Sequence, residues 1–187
     1  PKLKSRLADA AQPTARRIAA LWALEGLHAV ELETLSPLLR DPNRNIRREA
    51  VRACRDNVLS FVGYVAAFAP LADDADPEVR AEVIRSAGTL LSQYLGFPAA
   101  SANSPAAMSA IGLLVKSARA PLAEPTMKAT NSGKIIKAGE AYEREFERYL
   151  ARLQLEKHPE AVAHFLDSDA ARALPVENRL VATLALE

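Results

Sequence analysis

The feature that most constrains this chain is that it says nearly the same thing twice. "DPNRNIRREAVRAC" begins at Asp41 and "DADPEVRAEVIRSAG" at Asp74, so Ile46-Arg47 and Val79-Arg80 stand 33 positions apart. In the first copy Ile46, Ala50, Val51, Cys54 and Val58 share one helical face, and in the second Val79, Val83, Ile84, Ala87, Leu90 and Leu91 do the same. Asp41-Pro42 and Asp76-Pro77 supply turn and helix-start signals just upstream. A weaker third copy, "AAQPTARRIAALWALEGL", sets Pro13, Arg16 and the stripe Ile18, Leu21, Trp22 and Leu24 ahead of them, with Arg16 31 positions before Arg47. Shorter helical segments, "VELETLSPLLR" (30–40) and "NVLSFVGYVAAFAPLA" (57–72), separate the cores.

Each unit therefore reads helix, turn, helix. Such a pair cannot bury its apolar stripe alone, whereas stacked neighbours build one continuous core. Composition agrees: 49% of residues are hydrophobic but only 5% aromatic, Ala and Leu dominate, and continuous β-branched runs are missing. The expected fold class is all-α, an α-α superhelix of HEAT-like repeats with an irregular insertion. Arg47 and Arg80 each follow a buried aliphatic residue, where a guanidinium can lie over the groove between repeats and pair with an Asp or carbonyl of the adjacent turn.

The pattern breaks after Leu95. Residues 96–135 hold Pro98, Pro105, Pro121 and Pro125 with Gly96 and Gly133, which predicts loops around one helix from Pro105 to about Ala118, and "KATNSGK" (128–134) is the segment expected to be most mobile. Regularity returns with a helix over roughly 139–157, whose series Tyr142, Phe146, Tyr149, Leu150, Leu153 and Leu155 predicts an amphipathic face and whose Glu140–Arg144 and Glu145–Arg148 pairs should each add about 0.2–0.5 kcal/mol. "PEAVAHFLDS" and "PVENRLVATLALE" predict two further helices. The domain expectation is repeats over 1–95, an insertion over 96–135 and a C-terminal helical extension of the same solenoid over 136–187. Because the chain opens at Pro1 and stops at Glu187 within an apolar-periodic stretch, it is expected to be a segment of a longer protein.

The repeated segments "LLRDPNRNIRREAVRAC" and "LADDADPEVRAEVIRSAG" resemble HEAT repeats of the short bacterial type also found in phycobilin lyases. A narrower resemblance lies in "RIAALWALEGL", "AYEREFERYLARLQLEKHPEAVAHFLDS" and "LPVENRLVATLALE". Together these are similar to the helical region of planctomycete and verrucomicrobial membrane-bound dehydrogenases. In that family a sugar-dehydrogenase-like β-propeller precedes the repeats, and a c-type haem-binding domain with a Cys-x-x-Cys-His motif follows. The resemblance implies an exported, periplasmic setting. It carries no catalytic or cofactor residue onto this chain, which holds neither the haem motif nor a propeller.

The individual chemistry-bearing residues read as structural. Cys54, the single cysteine, sits on the apolar stripe with no Cys or His at ligand spacing. His158 and His164 are six apart across Pro159 and share no helix face, and His28 falls near a helix end, where a cation suits the dipole. Trp22 reads as a large core filler. Glu140, Glu143, Glu145 and Glu147, interleaved with Arg144, Arg148 and Arg152, read as a solvated helix face. There is no glycine-rich phosphate loop, nucleophile elbow or metal constellation, so no enzymatic activity and no cofactor are expected of this segment. No apolar run reaches the ~20 residues of a membrane span.

The charge pattern carries the one candidate surface. Six arginines (40, 44, 47, 48, 52 and 55) face only Asp41 and Glu49, a local charge of +4, while residues 71–82 set five carboxylates against Arg80, a local −4. Arg44, Arg47, Arg48, Arg52 and Arg80 are accordingly the candidate interaction residues. The near-neutral total of +1 and the shortage of aromatics favour a self-compensating pair of repeats over a nucleic-acid site. The leading expectation is a non-catalytic scaffold that docks neighbouring domains or a protein partner on a concave face. A nucleic-acid-binding HEAT protein using the Arg40–Arg55 patch is the alternative, with Arg16 and Arg17 joining the same groove, and a bilin-lyase-like enzyme ranks last.

Overall fold

The computed structural model describes residues 2–56 and 61–187. These are mostly helical, with eleven α-helices and a single two-stranded sheet among the described residues. The chain divides into two compact units, Pro1–Pro98 and Ala99–Glu187.

In the first unit α1 (Lys2–Ala8) packs on α2 (Thr14–Gly26), and α2, α4 (Arg44–Ala53) and α6 (Pro77–Leu95) lie side by side, α2 on α4 and α4 on α6. Between them run α3 (Leu32–Leu35) with a 3-10 turn at Leu38–Arg40, and α5 (Phe61–Phe68) continued by a 3-10 stretch at Ala69–Asp73. The twin segments of the sequence are thus neighbours in space. Each begins the same way: Asn43 caps α4 by accepting the Asn45 amide, and Asp76 caps α6 by accepting those of Glu78 and Val79. Pro77, at the first turn of α6, loses no hydrogen bond there and presets the helical φ. The connecting helix α3 is short because Pro37 has no amide to continue it.

Both predicted stripes point inward. Ile46, Ala50, Val51 and Cys54 are fully buried, as are Val79, Val83, Ile84, Ala87, Leu90 and Leu91; Val58 lies outside the described residues. Each large aliphatic side chain so buried contributes about 1.5–3 kcal/mol relative to exposure. The third stripe is different. Leu21 and Leu24 are buried and Ile18 is half-buried, but Trp22 is 54% exposed and is not the core filler its spacing predicts.

The second unit is built around α7 (Pro105–Ser117), which packs on α8 (Glu140–Leu155), α9 (Pro159–Leu166) and α11 (Val176–Leu184), with the short α10 (Asp169–Arg172) against α9. Ser104 caps α7 through the Ala107 amide. Gly112 admits the Phe165 ring of α9 so closely that a Cβ would stand 3.2 Å from it. Asn178, at the start of α11, is buried and donates to the Val115 and Lys116 carbonyls in the last turn of α7, where the helix runs out of its own amide donors. Arg148 reaches from α8 to the carbonyls of Ala118, Arg119 and Glu177, so the expected Glu145–Arg148 pair does not form, whereas Glu140–Arg144 does.

The stretch expected to be a loop holds an antiparallel hairpin. Strands β1 (Met127–Ala129) and β2 (Ile135–Lys137) pair with Lys128 opposite Ile136. The turn between them is closed by the Thr130 amide on the Lys134 carbonyl at 2.8 Å and the Gly133 amide on the Thr130 carbonyl at 2.9 Å, with Gly133 at φ 78°. A positive φ at this point is what glycine supplies without strain.

Candidate interaction surface

One clasp recurs along the first unit. Arg47 donates from Nε and Nη2 to the two carboxylate oxygens of Asp74 at 2.7 and 2.8 Å, and from Nη1 to the Asp41 carbonyl at 2.8 Å. Arg80 makes the equivalent backward bond to the Asp74 carbonyl at 2.6 Å. In the third copy the same part is played by Arg17, which is buried and bonds Asp41 Oδ2 at 2.6 Å and the Leu7 carbonyl at 2.9 Å. Arg16, which the apolar register aligns with Arg47, is exposed instead. The true register follows the caps: Arg17, Arg47 and Arg80 each stand four residues after a helix N-cap, at Pro13, Asn43 and Asp76. Aligning the caps rather than the stripes would have found it.

The carboxylates answer the arginines in kind. Asp41 Oδ1 accepts the Asn43 amide and Asp74 Oδ1 the Asp76 amide, so each Asp both shapes its own turn and receives the guanidinium of the preceding repeat. Arg44 pairs with Asp76 at 2.7 Å while its side chain stays 66% exposed. Asp76 is pushed up by its burial, but the Arg44 guanidinium and the Val79 and Glu78 amides outweigh this and hold its carboxyl below the ordinary range. The hydrogen bond from Arg47 to Asp74 likewise strengthens the hold of Arg47 on its proton.

A second tier lies along α2, α4 and α6. Arg52 bridges Glu25 at 2.5 Å and Glu49 at 2.9 Å, Arg55 pairs with Glu82, and the Trp22 indole N–H donates to Glu49 at 3.0 Å. Burial raises the Glu49 carboxyl, and the bonds from Arg52 and Trp22 more than reverse it. That indole bond explains the position of Trp22: Leu21 and Leu24 occupy the inward side of α2, and its polar edge finds a carboxylate on α4. Trp22, Glu25, Gly26, His28, Glu49 and Arg52 line an open cleft of about 650 Å³.

Of the five predicted surface residues, Arg47 and Arg80 turn into the clasps, Arg52 joins the second tier, Arg48 is half-buried against Glu49 at 3.2 Å, and Arg44 is the most open. The acidic turn at 71–82 meets the basic segment through three pairs, Arg44–Asp76, Arg47–Asp74 and Arg55–Glu82, while Arg48 and Arg52 turn to Glu49 and Glu25 instead.

Elsewhere the reactive side chains are dispersed. The Cys54 thiol is buried, donates to the Ala50 carbonyl, and is pushed far up by desolvation, which keeps it protonated. Burial lowers His158, with neighbouring Lys157 adding to the effect, while His164 lies exposed 3.9 Å from Glu160. His28 is a helix terminator: it adopts φ 51°, its amide meeting the Glu25 carbonyl while that of Ala29 meets Leu24. Among the described residues no group of three His, Cys, Asp or Glu is placed to hold a metal ion, and no helix is long and apolar enough to cross a membrane. Compared with known proteins, the sequence matches no protein-family model and no curated protein.

Two features of the second unit were not legible in the sequence. Glu147, read as part of a solvated face, is 1% exposed and receives Arg119 at 2.6 and 3.1 Å. Conversely Tyr142 and Tyr149, read as an inward stripe, are 55% and 60% exposed, and Leu153 is 39% exposed. Ala141, Leu150, Ala151 and Leu155 form the buried side of α8.

Proposed function

We propose that this chain is a non-catalytic helical-repeat scaffold, in which α2, α4 and α6 are successive HEAT-like repeats of an α-α superhelix. Its work is to hold neighbouring domains or a protein partner on the repeat surface. The observation that carries this is the clasp repeated at Arg17, Arg47 and Arg80, each four residues after a cap, with Arg17 and Arg47 also reaching the carboxylate of the next turn. A cap, a stripe and a guanidinium that recur together describe one module reused, and stacked modules offer extended surface. On the resemblance noted above, the parent would be an exported, haem-containing oxidoreductase, with this segment keeping its catalytic and electron-transfer domains in register.

The test is co-expression with the segments encoded on either side in the full reading frame, followed by size exclusion and pull-down. Stable co-elution is expected, and no association in cis or in trans would overturn the scaffold reading. The nucleic-acid alternative is disfavoured because Arg47, Arg52 and Arg55 are already neutralised by Asp74, Glu25, Glu49 and Glu82. Retardation of duplex DNA that weakens steeply with salt would reinstate it.

A further inference from the structure

The outer face of α8 carries a continuous apolar seam. Tyr142, Phe146, Tyr149 and Leu153 follow one another at spacings of four, three and four, the alternation of a helix that packs along another helix. The rings lie almost flat: Tyr142 and Phe146 are 6.2 Å apart and 5° from parallel, and Phe146 and Tyr149 are 6.5 Å apart at 22°. Phe146 is half-buried, and the other three are among the exposed large apolar side chains of the protein.

We infer that this seam pairs antiparallel with the same seam of a second copy of the chain. Two observations select that occupant. The seam is self-complementary when reversed, setting Tyr142 against Leu153 and Phe146 against Tyr149 of the second copy. Its solvent-side flank is also charge-complementary to itself only in that direction. Glu145, 60% exposed, and Arg152, 43% exposed, immediately precede Phe146 and Leu153, and antiparallel packing brings Glu145 of each copy beside Arg152 of the other, two contacts in all. In a parallel pair the position facing Glu145 holds Leu150, which is buried in its own unit, and the charge finds no partner. Glu145 now sits 3.4 Å from Lys137 and Arg152 2.6 Å from Glu156, exposed pairs that contribute little and are readily exchanged.

The seam is small. The four side chains with the stems of Glu145 and Arg152 offer roughly 500 Å² on each copy, so a pair buries about 1,000 Å², the low end for a specific interface. The dimer should therefore be weak and reversible, with a dissociation constant of roughly 10 μM to 1 mM. It does not depend on the scaffold reading, which stands or falls on association with flanking domains.

Sedimentation equilibrium of the whole chain up to about 1 mM tests it, with Glu145→Arg and Arg152→Glu made separately. Both positions are exposed, so the helix content by circular dichroism should be unchanged. Each variant alone sets like charges together and should dimerise at least ~10-fold more weakly. Mixed one to one, they restore both opposite-charge contacts and should form a heterodimer within ~3-fold of the original affinity. A chain that stays monomeric at 1 mM, single variants that dimerise as before, or a mixture that fails to recover would each overturn the pairing.

Discussion

If the cap-aligned arginine is the fastening of the first unit, Arg17 should matter and its neighbour Arg16 should not. Both side chains of the Arg17–Asp41 pair are 8% exposed, and their contact is 2.6 Å. Replacing Arg17 with Ala leaves the Asp41 carboxylate buried with only the Asn43 amide to satisfy it and strips the Leu7 carbonyl of its donor. Breaking one side of a buried pair costs about 3–5 kcal/mol, and the surviving amide bond places this case near 3 kcal/mol. That is a large share of a domain stability of about 5–15 kcal/mol. Asp41→Ala should cost about as much, since it removes the turn's own acceptor as well, and the double variant should fall short of the sum by about 2 kcal/mol because the two side chains share one interaction. Urea unfolding followed by Trp22 emission suits the measurement, because the protein's only tryptophan sits on α2, the helix that carries Arg17, and bonds Glu49 of α4. Arg16→Ala, exposed on the same helix, should stay within about 0.5 kcal/mol of the parent. A loss below about 1 kcal/mol for Arg17→Ala, or an equal loss for Arg16→Ala, would refute the cap register and the clasp with it.

Three further outcomes are expected. His28→Gly should stabilise the first unit by about 0.5–1 kcal/mol in the same unfolding assay, because His28 holds φ 51° with a Cβ that glycine lacks. Asp76 contributes stability that is present at neutral pH and lost as pH falls through its depressed value, below the ordinary 3.8, so Asp76→Asn should flatten the acid limb of stability below about pH 4 while keeping an oxygen to cap α6. Gly112→Leu should drive α9 away from α7 through the Phe165 ring and cost the second unit about 1–3 kcal/mol, read by circular dichroism.

Much of the helical layout was legible because it rests on local rules. The cap at Asp76, a proline at the first turn of α6, and two aliphatic stripes each specify a helix and its inward side without reference to distant residues, whereas the start signal read at Asp41-Pro42 falls two positions before the actual cap of α4 at Asn43. The misreadings came where a local pattern fits two answers. An apolar stripe tolerates a shift of one position, so Arg16 and Arg17 were interchangeable until the caps were compared. The hairpin at 127–137 has strands of three residues, too short to register an alternation, and only the Asn131-Ser132-Gly133 turn betrays it.

Helix α8 shows the limit most sharply. It carries two apolar tracks, Leu150 and Leu155 on one side and Tyr142, Phe146, Tyr149 and Leu153 on the other, and periodicity alone cannot say which faces in. The decision is made from afar. Arg119, 28 positions upstream at the end of α7, delivers two hydrogen bonds to Glu147, and Arg148 ties the same side of α8 to the carbonyls of Ala118, Arg119 and Glu177. Those polar contacts draw the charged side of the helix inward and leave the aromatic side outside. A carboxylate can be buried when a guanidinium meets it, and with Glu147 so held Tyr142, Tyr149 and Leu153 stay exposed beside the half-buried Phe146. The exposed seam is therefore the counterpart of the buried ion pair: whatever fixes Glu147 in the core also fixes where the second unit can be approached.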